Sequence, residues 1–183
     1  MTTATAQQDT FFSRIPESER HFLVQKSSEI LAKSKSGSLE NLLQETAKVF
    51  SEKDYGWEEA ILERLWLRWP HEINDRDQIF CPENALKNYL LLRTMRLPAR
   101  YAVVHNRRKS GMPHDVVFVQ VGKNAGMDTY MVDWKGATRC CILPDALVPY
   151  KQTGTKKSLQ YSSKGGEIVF MDRLEFLTEQ QII

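Results

Sequence analysis

The 183-residue sequence has no apolar run near the ~20 residues that cross a bilayer. No sign of charge dominates: 25 Lys and Arg stand against 23 Asp and Glu, a formal net charge of +2. So balanced a charge argues neither for nor against a nucleic-acid partner; no nucleic acid and no membrane is expected as a partner. Cysteine is scarce. Cys81, Cys140 and Cys141 are odd in number and lack metal-ligand spacing, which argues against a disulfide framework or a zinc site. The 9 glycines form no phosphate-cradling loop, and His-Glu-x-x-His and Cys-x-x-Cys are absent. No metal and no cofactor is expected. Met1 to Thr10 is polar, without the apolar stretch of a secretory leader, so a cytoplasmic location is expected.

What is present is the composition of a globular domain, with 42% hydrophobic and 26% charged residues. A flexible segment over 1–16 and a single domain over 17–183 are expected. Apolar periodicity predicts a helix from Glu17 to about Lys35, with Phe22, Leu23, Ile30 and Leu31 on one face. Ser38 stands as the N-cap of a second helix carrying Leu39, Leu42, Leu43, Ala47 and Phe50. A third helix is predicted over Trp57–Trp69, stopped by Pro70. His71 to Gln78 reads as a charged, solvated connection, Asp75 and Asp77 included. His21 and His71 are expected at the surface.

A central helix follows, from Pro82 to about Arg96, with Ala85, Leu86, Tyr89, Leu90 and Met95 on its buried face. Beyond Leu97-Pro98 the period changes to that of strands: Arg100 to His105, His114 to Val121, Thr129 to Asp133 and Glu167 to Phe170. Ile142 to Pro149 is expected to be irregular, and Lys151 to Gly166 an exposed loop. Helices first and strands later predict an α+β domain with a mainly antiparallel sheet.

The candidate chemistry centres on Cys81. Pro82 suits the first turn of a helix and disfavours helical backbone at Cys81, so the thiol is expected over the first free amides of the central helix. Those amides favour a thiolate and can stabilise an oxyanion, while the charge of Glu83 opposes the thiolate. A thiol nucleophile needs a base and a group that orients the base. His114 opens a strand in which it shares a face with Val116 and Phe118. If the segment 122–125 closes a tight hairpin, Val121 meets Gly126, Phe118 meets Thr129 and His114 meets Asp133. His105 is the rival base, and Asp115 and Asp128 are the rival acids. Cys140-Cys141 reads as two reduced thiols near a strand end. Arg107 to Lys109 reads as a solvated basic loop.

The order Phe80-Cys81-Pro82 at a helix start, Leu97-Pro98-Ala99-Arg100-Tyr101, His114, then Val132-Asp133-Trp134 resembles the transglutaminase-like superfamily of Cys-His-Asp thiol enzymes, which share a papain-like arrangement. The resemblance covers about Phe80 to Gly136. It implies Cys81 as nucleophile, His114 as base and Asp133 as orienting acid. It points to Gln78 and Pro82 for substrate or oxyanion contacts. Asp115 and Val116 stand where the family carries a small residue and an aromatic. The implied activity is cleavage of an amide or peptide bond in a peptide or protein substrate through an acyl-enzyme. An amine in place of water would make the same site a transglutaminase or acyltransferase. A non-catalytic interaction module on the same fold, working through the helical half, is the alternative outside enzymology.

Overall fold

The computed structural model describes residues 13, 15–34, 37–53, 68–73, 78–106, 113–122, 128–134, 136–140, 147–149, 159–163 and 166–171. Side chains are described for these except at 103–106, 113, 114, 140, 147–149, 159–163 and 166–171. The helix expected over Trp57–Trp69 lies outside the described residues apart from Arg68 and Trp69, as do the basic loop at Arg107, Asp75, Asp77 and Cys141.

Three α-helices precede the sheet among the described residues: α1 (Glu17–Lys33), α2 (Leu39–Lys48) and α3 (Cys81–Thr94). α1 buries Glu19, Leu23, Ser27 and Ile30. Leu31, expected on that face, is 54% exposed, because the buried stripe of a 3.6-residue helix runs from Leu23 through Ser27 to Ile30. α2 starts as its sequence predicts, with the Ser38 hydroxyl accepting from the Asn41 amide at 3.2 Å. Trp69 is buried, and Pro70–Glu72 makes a short 3₁₀ turn.

α3 has Pro82 and Glu83 in its first turn. At its end Arg96 adopts a left-handed φ of 64°. The Leu97 amide reaches back to the Leu92 carbonyl at 2.9 Å, so the chain turns out of the helix before Pro98. Ten of the fourteen residues of α3 are buried, as expected of a helix covered on most sides.

Among the described residues the sheet has seven strands, β1 (Ala99–Asn106), β2 (Pro113–Val121), β3 (Asp128–Asp133), β4 (Gly136–Cys140), β5 (Leu147–Pro149), β6 (Leu159–Ser163) and β7 (Gly166–Met171), in the order β4-β3-β2-β1-β7-β6-β5. Every neighbouring pair is antiparallel. The architecture is thus α+β. β4, β5 and β6 add to the sequence reading: Leu147–Pro149 and Leu159–Ser163 are strands where irregular chain was expected. Pairing partners supply the order that these short segments do not announce by themselves.

α3 lies across β2, flanked by β1 and β3, with α1 against its other side and α2 beside β4. Leu23, Ile30, Leu43, Leu86, Leu90, Tyr101, Val117, Val119, Tyr130 and Val132 belong to one core between helices and sheet. At Gly136, with φ 135°, a Cβ would collide with the end of the Gln44 side chain. Gln44 also donates to the Ala137 carbonyl at 2.7 Å, so α2 is fastened to the β3–β4 turn.

Candidate functional site

Cys81 is the first residue of α3, half-buried and not in a disulfide. Its helix start is braced from two sides. The Glu83 carboxylate accepts the Phe80 amide at 3.3 Å, one half of a capping box. It also takes Arg68 in a two-toothed ion pair, Nε at 2.9 Å and Nη2 at 3.0 Å. Arg68 donates further to the Gln78 carbonyl at 2.6 Å. The Glu83 charge, expected to weigh on the thiol, is therefore met by a guanidinium in a nearly dry position. Phe80, rather than Cys81, is the N-cap. Its extended backbone (φ −107°, ψ 160°) serves the same purpose one residue earlier.

The group beside the sulfur is Asp115. The Cys81 thiol donates to Asp115 Oδ2 at 3.8 Å. The Tyr101 hydroxyl donates to the other oxygen of the same carboxylate at 2.5 Å. That hydroxyl also lies 3.5 Å from the Pro82 carbonyl, closing the group back onto the helix. Tyr101 is fully buried and meets the Tyr89 ring edge-on at 6.4 Å. The described side chains of β2 that join the helix-facing core are Val117 and Val119, which share the Asp115 face by alternation. Asp115 is one of the two rival acids, with Asp128. Its place on the helix side of β2 makes it the neighbour of the thiol.

No family model, curated protein or solved structure matches this chain.

The remaining expected site residues fall as follows. The backbone of His114 pairs with Val104 at the start of β2, and its side chain lies outside the described residues, as does that of His105. The β2–β3 register differs from the expected one by two residues: Val121 meets Asp128 and Phe118 meets Met131. Residues 122–127 rather than 122–125 thus separate the paired ends. A two-residue slip preserves faces, but it carries Asp133 one step past the Val117–Val132 pair and out of line with His114. Asp133 instead pairs with Gly136 at the β3–β4 turn, where its Oδ1 accepts the Trp134 amide at 2.7 Å. Asp128 forms an ion pair with Arg139. Gln78 is exposed. Pro82 has no N–H to offer an oxyanion, and its carbonyl faces Tyr101. Cys140 ends β4.

A second polar feature runs along α3 and was not anticipated. Lys87 is fully buried, with its ammonium on the carbonyls of Val49 at 2.6 Å, Thr46 at 3.3 Å and Ala47 at 3.4 Å, at the end of α2. Burial pushes its pKa down to about 7, while Glu52 and Asp133 pull it up. Asn84 and Asn88 are buried as well. Asn84 Oδ1 and both polar atoms of the Asn88 amide have no hydrogen-bond partner among the described residues. Among those residues there is no group of three His, Cys, Asp or Glu able to hold a metal ion, and no helix is long and apolar enough to cross a membrane.

Proposed function

We propose that the protein is a thiol hydrolase on a transglutaminase-like α+β scaffold, cleaving an amide or peptide bond through Cys81. The observation that carries this reading is the half-exposed thiol at the first position of α3, in contact with a carboxylate. In the proposed reaction the thiol proton leaves to a base, the sulfur attacks the carbonyl carbon, and helix-start amides meet the developing oxyanion. Collapse expels the amine, which takes the proton, and water then hydrolyses the thioester. A carboxylate beside a thiol opposes a thiolate unless it takes the proton itself. Asp115 is thus assigned the acceptor role, with Tyr101 holding its far oxygen. His114 is the base that the family resemblance implies and is the second choice, because strand alternation assigns its position to the face of β2 opposite Asp115. Asp133 is given the turn, and a loss of rate in Asp133→Asn would return it to the triad. Water as acyl acceptor is preferred to an amine, and a reducing, cytoplasmic setting suits a free thiol.

The test uses protein with Cys140 and Cys141 replaced by serine. Iodoacetamide should label Cys81 faster in folded than in urea-unfolded protein. A peptide-derived acyl-enzyme should appear by mass spectrometry and vanish in Cys81→Ala. Asp115→Asn should slow acylation by on the order of 10²-fold, the scale of general-base catalysis. A slowing in His114→Ala with none in Asp115→Asn would move the base to His114. Equal labelling of folded and unfolded protein would remove Cys81 from any mechanism.

One observation favours a second reading, a protein-interaction module. Val24 and Leu31, one heptad apart on α1, are 56% and 54% exposed, an apolar stripe on the helical half. Loss of a partner on Val24→Glu, together with an unreactive Cys81, would establish that alternative.

A further inference from the structure

Away from Cys81, α1 and the 3₁₀ turn bring a serine, a histidine and a glutamate together. Ser18 and Glu19 are consecutive in the first turn of α1, and His71 lies in the middle of Pro70–Glu72. Glu19 is fully buried. Its Oε2 accepts from the His71 backbone amide at 3.0 Å and from ring Nδ1 at 2.6 Å. Two bonds from one residue to one oxygen orient the imidazole and keep the proton on Nδ1, which leaves Nε2 as an acceptor. Nε2 lies 3.1 Å from the Ser18 hydroxyl oxygen. Ser18 is exposed and His71 only partly covered, so the pair is accessible from solvent. Burial holds the Glu19 carboxyl above its ordinary range, and the bonds from His71 work in the opposite direction.

We propose that Ser18, His71 and Glu19 form a second acyl-transfer site, independent of Cys81, that accepts small carboxylic esters. Each member has the contact that a serine nucleophile requires: hydroxyl to Nε2, Nδ1 to a buried carboxylate. Ser18 Oγ bonds to the ester carbonyl carbon as its proton passes to His71 Nε2, and the carbonyl electron pair moves onto oxygen. Collapse breaks the bond to the leaving alcohol, which takes the proton from Nε2. Water repeats the sequence, releasing the carboxylic acid and restoring the Ser18 hydroxyl. Glu19 balances the transient imidazolium. Pro16 at the N-cap makes no side-chain cap bond, and the oxyanion donors in the proposed step are first-turn amides of α1. So open a site gains little from substrate binding, and turnover should be slow.

The test uses the full chain carrying Cys81→Ala, which separates it from the thiol proposal. A fluorophosphonate probe should form an adduct mapped to Ser18, and hydrolysis of p-nitrophenyl acetate should fall to the background rate in Ser18→Ala. His71→Ala should slow labelling by on the order of 10²-fold, and urea-unfolded protein should not label at all. The unfolding arm needs no variant to fold. Labelling confined to other serines, or Ser18 labelling at one rate in native, unfolded and His71→Ala protein, overturns the proposal and leaves the three residues as a dock between α1 and the turn.

Discussion

Replacing Lys87 with methionine isolates a single buried ionisable group. In the folded chain its pKa is near 7, against an ordinary 10.5. Between those values the unfolded chain holds a proton that the folded chain lacks. Unfolding then takes up a proton, and raising the pH favours the folded state. The contribution of Lys87 to stability is complete above 10.5 and is lost as pH falls through 7. Its slope is at most about 1.4 kcal/mol per pH unit, and the whole difference is on the order of 5 kcal/mol as an upper limit. The Thr46, Ala47 and Val49 carbonyls at the end of α2 favour the ammonium and work against the full difference. Methionine fills a similar volume and does not titrate. Urea unfolding of wild type and Lys87→Met, followed by tryptophan fluorescence at intervals from pH 7 to 10, gives the difference in stability at each pH. Other groups titrate in both proteins and cancel. The difference should move in favour of wild type as pH rises. A constant offset would mean that Lys87 keeps an ordinary pKa, and a movement the other way would refute the burial argument.

Tyr101→Phe removes the hydroxyl that holds Asp115 Oδ1 and should cost about 1.5–3 kcal/mol, read as a lower urea midpoint. An unchanged midpoint would show that the pair contributes nothing net. Asn88→Leu replaces a fully buried amide without a partner among the described residues, and should raise stability by about 1–3 kcal/mol. A lower thermal midpoint instead would mean that the amide is satisfied, by internal water for example.

Much of the scaffold is local, and the sequence by itself determined it. Ser38 before an apolar-periodic run, Pro82 in a first turn, and the change from helical to alternating period after Pro98 specify α2, α3 and the order of helices and strands, because capping and periodicity act within a few residues. The position of Cys81 at a helix start was legible for the same reason. The face that β2 turns toward that helix was not. Val116, Val117, Phe118 and Val119 are all at most 2% exposed, so a strand buried on both sides carries no alternation to tell one face from the other. Only the packing of α3 across β2 put Asp115 at the thiol. The two-residue shift between β2 and β3 is likewise a matter of pairing between strands. Arg68 against Glu83, Lys87 on the end of α2, and His71 between Ser18 and Glu19 join residues 15, 38 and 52 positions apart. No periodicity within one element reports such pairs. They exist because the tertiary fold brings the groups together, and at Glu19, Glu83 and Lys87 it also excludes the water that would otherwise solvate them.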